Sequence, residues 1–177
     1  MKKYLIVNKN LFFKNKLKNS KEKKFFFISE KKYFNLNSIK KIKPDIIFFP
    51  HWSWKIKEVI FTKYNCIGFH STPLPYGRGG SPIHNMVLRG YKKTKICAFK
   101  IVPKFDSGPI YLKSNLRLEG NGEIIFKNMY EEINKMIIKL INHLPKPKVQ
   151  KGRVVSFKRL TKENSILKKN SNLKTIY

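Results

Sequence analysis

Residues 70–83 read HSTPLPYGRGGSPI, and this stretch is the most informative part of the chain. The short apolar run before it, residues 66–69, predicts a buried strand that ends at His70. Three prolines and three glycines lie within the stretch, and Pro82 is a suitable first residue for a helix. A histidine at the end of a buried strand lies at the mouth of a sheet, where open α/β sheets bind their ligands.

An aspartate that could pair with His70 follows this loop in the sequence. Asp106 lies 36 residues after His70, within the run FDSGPI at 105–110, and the only other aspartate is Asp45. Together, a histidine and an aspartate beside a cleft shaped by proline and glycine indicate proton-transfer chemistry.

The rest of the chain supports an α/β fold. Apolar runs predict four strands, at residues 4–7, 25–28, 45–49 and 66–70. Because these runs are continuous rather than alternating, we expect both faces to be buried, as in a parallel sheet with helical crossovers. Two further strands, at 94–102 and 108–118, are predicted to pair antiparallel. Helices are predicted at 10–18, 33–43, 54–63, 82–89 and 123–143.

Length and composition predict one domain in the cytoplasm. A chain of 177 residues with 41% hydrophobic residues can bury the core of a single domain. The sequence has no apolar run of 18 residues and no signal-peptide pattern, so no membrane association is expected. Cys66 and Cys97 lie in apolar, strand-like runs and are predicted to be buried free thiols, which fits a reducing compartment.

The formal charge of +29 has two interpretations. It could mark a surface for RNA or for an acidic substrate. Only five of the 39 basic residues are arginine, however, whereas sites built for phosphate favour arginine. A coding bias towards lysine, asparagine and isoleucine explains the same excess, and we favour that interpretation over RNA as a partner.

The two motifs resemble those of a known family. The pattern H-x-[ST]-x-L-P-x-x-R-G-x-x-P-[IL] begins at His70, and D-x-G-x-I begins at Asp106. Both are similar to motifs of the formyltransferases that use 10-formyltetrahydrofolate, which act on methionyl-tRNA, glycinamide ribonucleotide or sugar nucleotides. The resemblance runs from Asp45 to Ile110. It implies a single-domain, Rossmann-like formyltransferase fold, 10-formyltetrahydrofolate as the formyl donor, and a primary amine as the acceptor.

The resemblance also implies roles for individual residues. His70 would be the acid and base at the reacting centre, and Asp106 would orient and stabilise its imidazole. Two loops would hold the folate: Trp52, Ser53, Trp54, Lys104 and Phe105. Two tryptophans beside a cleft either flank the flat ring of the folate or simply pack against the core, and the sequence favours neither. Four residues would contact substrate or fix the loop: Thr72, Arg78, Gly79 and Asn85. No metal is expected, because the histidines and cysteines lack ligand spacing.

One position departs from the family pattern. The family has asparagine two residues before the histidine, where it would donate a hydrogen bond to the formyl oxygen, whereas this chain has Gly68. Losing such a donor typically costs about two to three orders of magnitude in rate. Either another group in the cleft supplies the hydrogen bond or the activity is lost. The candidate donors are Thr72, Ser81, His84 and Asn85.

The sequence allows more than one acceptor, and its C-terminal segment differs in composition from the rest of the chain. We predict a catalytic domain over residues 1–150 and a basic, extended segment over 151–177 that wraps around it and is incomplete beside the family. The short chain favours a small acceptor, a nucleotide-linked amino sugar. The alternatives are an enzyme similar to methionyl-tRNA formyltransferase, and an inactive or fragmentary folate-binding homologue. A basic RNA-binding module ranks last, and the oligomeric state is left open.

Overall fold

The fold is built on a six-stranded sheet, as seen in a computed structural model that describes residues 1–161. Its strand order is β2-β1-β3-β4-β6-β7. The first four strands are parallel, and β6 runs antiparallel to both of its neighbours, β4 and β7. The strands are β1 (Lys2–Val7), β2 (Lys23–Ile28), β3 (Ile46–Phe49), β4 (Asn65–His70), β6 (Lys93–Lys100) and β7 (Ile110–Arg117). This arrangement confirms the predicted α/β class and the mostly parallel sheet.

Within residues 1–161, five α-helices accompany the sheet: α1 (Phe12–Lys16), α2 (Leu36–Ile42), α3 (Glu58–Lys63), α4 (Pro82–Leu88) and α5 (Gly122–Asn142). The longest, α5, begins where the Asn121 side chain accepts a hydrogen bond from the Ile124 amide. One face of α5 is buried through Ile125, Met129, Ile133, Met136, Ile137 and Leu140. These six residues recur at helical spacing, whereas Ile124 is apolar but exposed.

Both faces of the sheet are covered. Tyr4 and Ile6 of β1 belong to the cluster that contains the buried face of α5. Their neighbours Leu5 and Val7 belong to a second cluster, which includes residues of α2 and α3. Because successive strand residues point to opposite faces, a strand buried on both sides must be apolar throughout, and this accounts for the continuous apolar runs.

The predicted helix over residues 54–63 is only partly correct. The structure has α3 beginning at Glu58, and residues 50–57 form a loop. His51 adopts a left-handed backbone conformation (φ 54°), which bends the chain after β3. Trp54 packs edge to face on Trp52. The first four residues of the predicted helix thus belong to this loop.

A second, short sheet forms outside the predicted elements. It pairs β5 (Tyr76–Gly79) with β8 (Val155–Phe157) in parallel. We call residues 148–160 the strap, because they run across the loop that carries β5. Within the predicted C-terminal segment, Val155–Phe157 pair with β5. The division of the chain at residue 150 stays a prediction. The predictions for residues 162–177 lie outside the described part of the chain.

Both cysteines are buried and free, which confirms the predicted thiols. Burial raises the pKa of the Cys66 thiol to about 12 and also raises the pKa of Cys97. Across residues 1–161, none of the helices combines the length and the apolar character needed to cross a membrane.

Candidate active site

The site is centred on His70, the last residue of β4. The loop between β6 and β7 brings the Asp106 carboxylate next to the imidazole, and Oδ2 lies 3.6 Å from Nδ1. His70 is buried, with 7% of its surface exposed, and the Asp106 side chain is mostly buried. The proximity expected from the two motifs is confirmed by this distance.

A backbone carbonyl fixes which His70 nitrogen carries the proton. His70 Nε2 lies 2.7 Å from the Gly77 carbonyl oxygen, which can only accept a hydrogen bond. Nε2 must therefore donate, so the neutral ring keeps its lone pair on Nδ1. Thr72 Oγ1 donates to the same carbonyl at 3.2 Å. The basic nitrogen of His70 is thus the one beside Asp106.

The Asp106 carboxylate is positioned by a backbone amide of β5, two residues after the carbonyl that holds His70. Asp106 adopts a left-handed conformation (φ 49°), and its Oδ2 accepts a hydrogen bond from the Gly79 amide at 2.8 Å. A non-glycine residue held in this region is commonly part of a functional loop. Within three residues, β5 orients both partners, since the Gly77 carbonyl holds the histidine and the Gly79 amide holds the aspartate.

Close packing of the strap explains the glycine at position 79. Gly79 has φ 103°, a conformation that strains other residues. A Cβ atom there would lie 2.5 Å from the Phe157 carbonyl oxygen of β8. The G-R-G run is therefore required for β8 to lie against β5.

Gly79→Ala is expected to lower the free energy of unfolding by about 2 kcal/mol more than Gly90→Ala. Both glycines have positive φ, but no atom lies within 4 Å of a Cβ built at Gly90. The difference between the variants isolates the contact with the strap. Urea unfolding measures it, and equal losses for both variants would contradict the packing explanation.

Two of the residues expected to contact substrate or loop are buried among loop contacts. Thr72 is fully buried, and its hydroxyl is used on Gly77. The Asn85 amide donates to the carbonyl oxygens of Gly80, Ser81 and Lys158, and its oxygen accepts from Arg89. With two hydrogens shared among three carbonyls, Asn85 has no donor left. Of the four candidate donors to the cleft, Asn85 therefore has an amide that the loop and the strap engage.

The space beyond Gly68 is filled by an aromatic ring. Gly68 of β4 lies directly opposite Phe99 of β6. A Cβ atom at Gly68 would lie 2.8 Å and 2.9 Å from Phe99 ring atoms. Phe99 is itself buried, with 6% exposed. Any side chain at position 68 therefore requires the Phe99 ring to move.

The two tryptophans do not flank an open slot. Trp52 and Trp54 contact each other edge to face, with ring centroids 4.5 Å apart, so no heterocycle fits between them. This packing corrects the predicted arrangement in which the two tryptophans flank the folate ring. Instead, Trp54 lines an open depression of about 480 Å³ on the surface, next to the loops that follow β1 and β2. The other lining residues are Lys9, Ser29, Glu30, Lys31 and Lys32. Lys9 Nζ lies 3.9 Å from the centre of the Trp54 ring.

Other predicted folate residues lie in exposed loops. Phe105 precedes Asp106 and exposes 66% of its surface, which is unusual for a large aromatic residue. The Lys104 carbonyl accepts hydrogen bonds from the Ser107 amide and hydroxyl, and these bonds close a turn over residues 104–107 that contains Asp106. Ser53 lies in the loop between Trp52 and Trp54 and is exposed. Their contact with folate stays a prediction.

Sequence reasoning missed Gln150, which links Arg78 to the Asp106 loop. The Arg78 guanidinium donates to Gln150 Oε1 from Nε at 3.2 Å and from Nη2 at 2.7 Å. The Gln150 amide donates to the carbonyl oxygens of Asp106 and Gly108. A lone glutamine in a polar segment carries no sequence signal for this role.

A second group that sequence reasoning missed surrounds His51. Its Nδ1 lies 2.8 Å from the Tyr130 hydroxyl, and its ring stacks on Phe126, which His84 also contacts. Desolvation by the neighbouring side chains, and to a lesser extent the nearby His84, lower the pKa of His51, although the residue as a whole is exposed. Within residues 1–161, no group of three histidine, cysteine, aspartate or glutamate side chains is arranged to hold a metal.

Comparison with known proteins finds that this chain is similar in sequence to several methionyl-tRNA formyltransferases. No family profile matches the chain. The methionyl-tRNA formyltransferase of Sulfurihydrogenibium sp. (strain YO3AOP1) is 29% identical over 120 residues, which are 66% of this chain and 39% of that protein. The chain spans less than half the length of the curated relatives it matches.

Solved structures extend the comparison to the whole chain. A methionyl-tRNA formyltransferase from Clostridium thermocellum matches with a TM-score of 0.94 and 36% identity, covering 100% of this chain and 81% of that one. The formyltransferase PseJ from Anoxybacillus kamchatkensis, solved with a formamido sugar nucleotide and tetrahydrofolate, matches with a TM-score of 0.69. Its identity is 14%, over 92% of this chain and 88% of that one, so this likeness concerns the fold alone.

Proposed function

The chain belongs to the formyltransferase family, and from this premise we propose that it transfers a formyl group from 10-formyltetrahydrofolate to a primary amine. The observation that carries the proposal is the pairing of His70 Nδ1 with Asp106 Oδ2 at 3.6 Å, while Nε2 is held by the Gly77 carbonyl. This geometry leaves one basic nitrogen at the reacting centre, with a carboxylate beside it.

His70 is the group that moves the proton. Neutral Nδ1 takes a proton from the attacking amine, and the resulting imidazolium is stabilised by the adjacent Asp106 carboxylate. His70 then returns the proton to the folate nitrogen as the formyl group leaves it. The Asp106 carboxylate keeps the imidazole in position, and the hydrogen bond from the Gly79 amide holds that carboxylate in place.

The residues around the centre fit a folate donor. Bound 10-formyltetrahydrofolate supplies the activated formyl group. The exposed Phe105 ring beside Asp106 offers an apolar surface that a flat heterocycle can cover. Trp52 Nε1 is buried and has no hydrogen-bond partner among residues 1–161, so it is available to a polar atom of a ligand.

The negative charge on the formyl oxygen needs a donor other than the side chain at position 68. Phe99 occupies that space, and the side chains of Thr72 and Asn85 are engaged. We assign the role to the His70 imidazolium, because protonated Nδ1 faces the centre and carries a full positive charge. One ring thus moves the proton and stabilises the oxygen.

We place methionyl-tRNA first among the acceptors and a nucleotide-linked amino sugar second. The relatives that resemble this chain in sequence carry the name methionyl-tRNA formyltransferase. The sugar acceptor has only the likeness in fold to PseJ to support it. The lysine-rich surface suits a polyanionic acceptor. The two buried free thiols support a cytoplasmic location.

Formyl transfer to the two acceptors is expected to differ by about a hundredfold or more in kcat/KM, in favour of methionyl-tRNA. The full chain would be assayed with 10-formyltetrahydrofolate and either methionyl-tRNA or a uridine-diphosphate-linked 4-amino sugar. The KM for tRNA should rise steeply with salt, because phosphate contacts release counterions. A preference for the amino sugar, with no salt dependence, would reverse the order.

An inactive folate-binding homologue is the second candidate, and the Phe99 ring beside Gly68 is the observation that favours it. In that case the chain binds tetrahydrofolate but forms no product with either acceptor. Isothermal titration with tetrahydrofolate, run beside the assay, distinguishes this outcome from a chain that does not bind folate at all.

A further inference from the structure

Gln150 of the strap uses its whole amide to join three elements around the active centre. Its Nε2 donates to the Asp106 carbonyl at 2.8 Å and to the Gly108 carbonyl at 2.9 Å. Its Oε1 accepts two hydrogen bonds from the Arg78 guanidinium. All hydrogen-bonding atoms of the Gln150 side chain are therefore satisfied, in a position that is partly buried.

The three partners of Gln150 are the residues that set the geometry of the pair. Asp106 carries the carboxylate, and Gly108 comes just after the turn over residues 104–107 that contains Asp106. Gly108 itself has no room for a Cβ atom, which would lie 1.7 Å from the Lys100 carbonyl oxygen. Arg78 lies between Gly77, which holds His70, and Gly79, which holds Asp106. Gln150 thus ties the strand that orients the pair to the loop that supplies the acid.

The left-handed conformation of Asp106 needs such support. At φ 49° a residue with a side chain lies in the left-handed region, which glycine tolerates best, so surrounding contacts must hold it. The hydrogen bond from Gln150 to the Asp106 carbonyl is made at this strained residue. The Asp106 carboxylate in turn accepts from the Gly79 amide and lies against His70 Nδ1.

We propose that Gln150 is a positioning residue for formyl transfer, which holds the Asp106 carboxylate against His70 through the Asp106 and Gly108 carbonyls. It does not touch the reacting atoms. This inference rests on the proposed function for its kinetic consequence, but its structural consequence can be measured without turnover.

The sharpest variant is Gln150→Glu, which keeps the size and the acceptor for Arg78. It replaces both donated hydrogen bonds with a carboxylate oxygen facing two carbonyl oxygens, so the Asp106 loop should shift. We expect kcat to fall about tenfold to a hundredfold with KM for 10-formyltetrahydrofolate nearly unchanged, as for a misplaced catalytic group. Gln150→Met, which removes all four hydrogen bonds at similar size, should lose at least as much.

Val149→Ala is the matched control, because Val149 precedes Gln150 in the strap and exposes 79% of its surface. It should keep wild-type turnover. In the background of Asp106→Asn, Gln150→Glu should cost less than about twofold more, because the group it positions is already disabled. Equal losses in both backgrounds would overturn the proposal, since they would show a role that does not pass through Asp106.

The amide of Gly79 gives a readout that is independent of turnover. It donates to Asp106 Oδ2, so its hydrogen exchange reports the position of the carboxylate. By NMR, we expect Gln150→Glu to speed exchange at Gly79 about tenfold or more, and Val149→Ala to leave it unchanged. If wild-type turnover fails but this exchange responds, the proposed function fails and the positioning role stands. Unchanged exchange in Gln150→Glu would overturn the positioning role itself.

Discussion

His70→Ala should lower kcat for formyl transfer by about a thousandfold or more, while the KM for 10-formyltetrahydrofolate changes little. A positioned acid or base typically contributes about 10²- to 10⁴-fold, and here the same ring also faces the developing negative charge. His70 lies under the loop rather than on an exposed surface, so folate contacts elsewhere should survive. Steady-state kinetics with the acceptor at saturation measures the change.

Asp106→Asn should show that the pair works as a unit. The amide cannot stabilise the imidazolium, so we expect a loss of about a hundredfold or more. The double variant with His70→Ala should be hardly slower than His70→Ala alone, because groups that act together lose their effect together. His143→Ala, at the end of α5, is the control and should match the wild type. Losses that multiply in the double variant would show that the two residues work independently.

Gly68→Asn should lower the free energy of unfolding by about 3 kcal/mol, because the new side chain must displace the Phe99 ring and bury an amide. Gly122→Asn is the matched control, since no atom lies within 4 Å of a Cβ built there. That control should cost well under half as much. Urea unfolding followed by tryptophan fluorescence measures both variants.

Phe99→Ala tests whether Gly68 and Phe99 form one packing unit. Alone it should cost about 3–5 kcal/mol through the cavity it leaves. Combined with Gly68→Asn, it should cost at least about 1 kcal/mol less than the sum of the single losses, because the asparagine enters the space of the ring. Additive losses would mean that Phe99 does not fill the space beyond Gly68.

The parallel sheet and the contact between His70 and Asp106 were predictable because both leave a mark on the sequence. Strands buried on two faces must be apolar at every position, so β1 and β3 read as continuous apolar runs. The motif spacing placed the acid and the base together because two family patterns bracket one cleft. Burial of both cysteines followed from the same apolar runs.

Other features depend on contacts that the sequence does not express. β8 has three residues, too few for a recognisable period, and Gln150 acts through backbone carbonyls that any residue possesses. The place of Asn85 after Pro82 says nothing of where its amide points. The filled space at Gly68 required knowing that Phe99 lies opposite, which depends on the register of β4 and β6.

The most direct test of the account is release of tetrahydrofolate in a single turnover of the full chain with 10-formyltetrahydrofolate. We predict that the wild type releases it only when a primary-amine acceptor is present, methionyl-tRNA above all, and that His70→Ala releases almost none. A wild type that binds the folate but transfers no formyl group to methionyl-tRNA or to the amino sugar nucleotide would contradict the account.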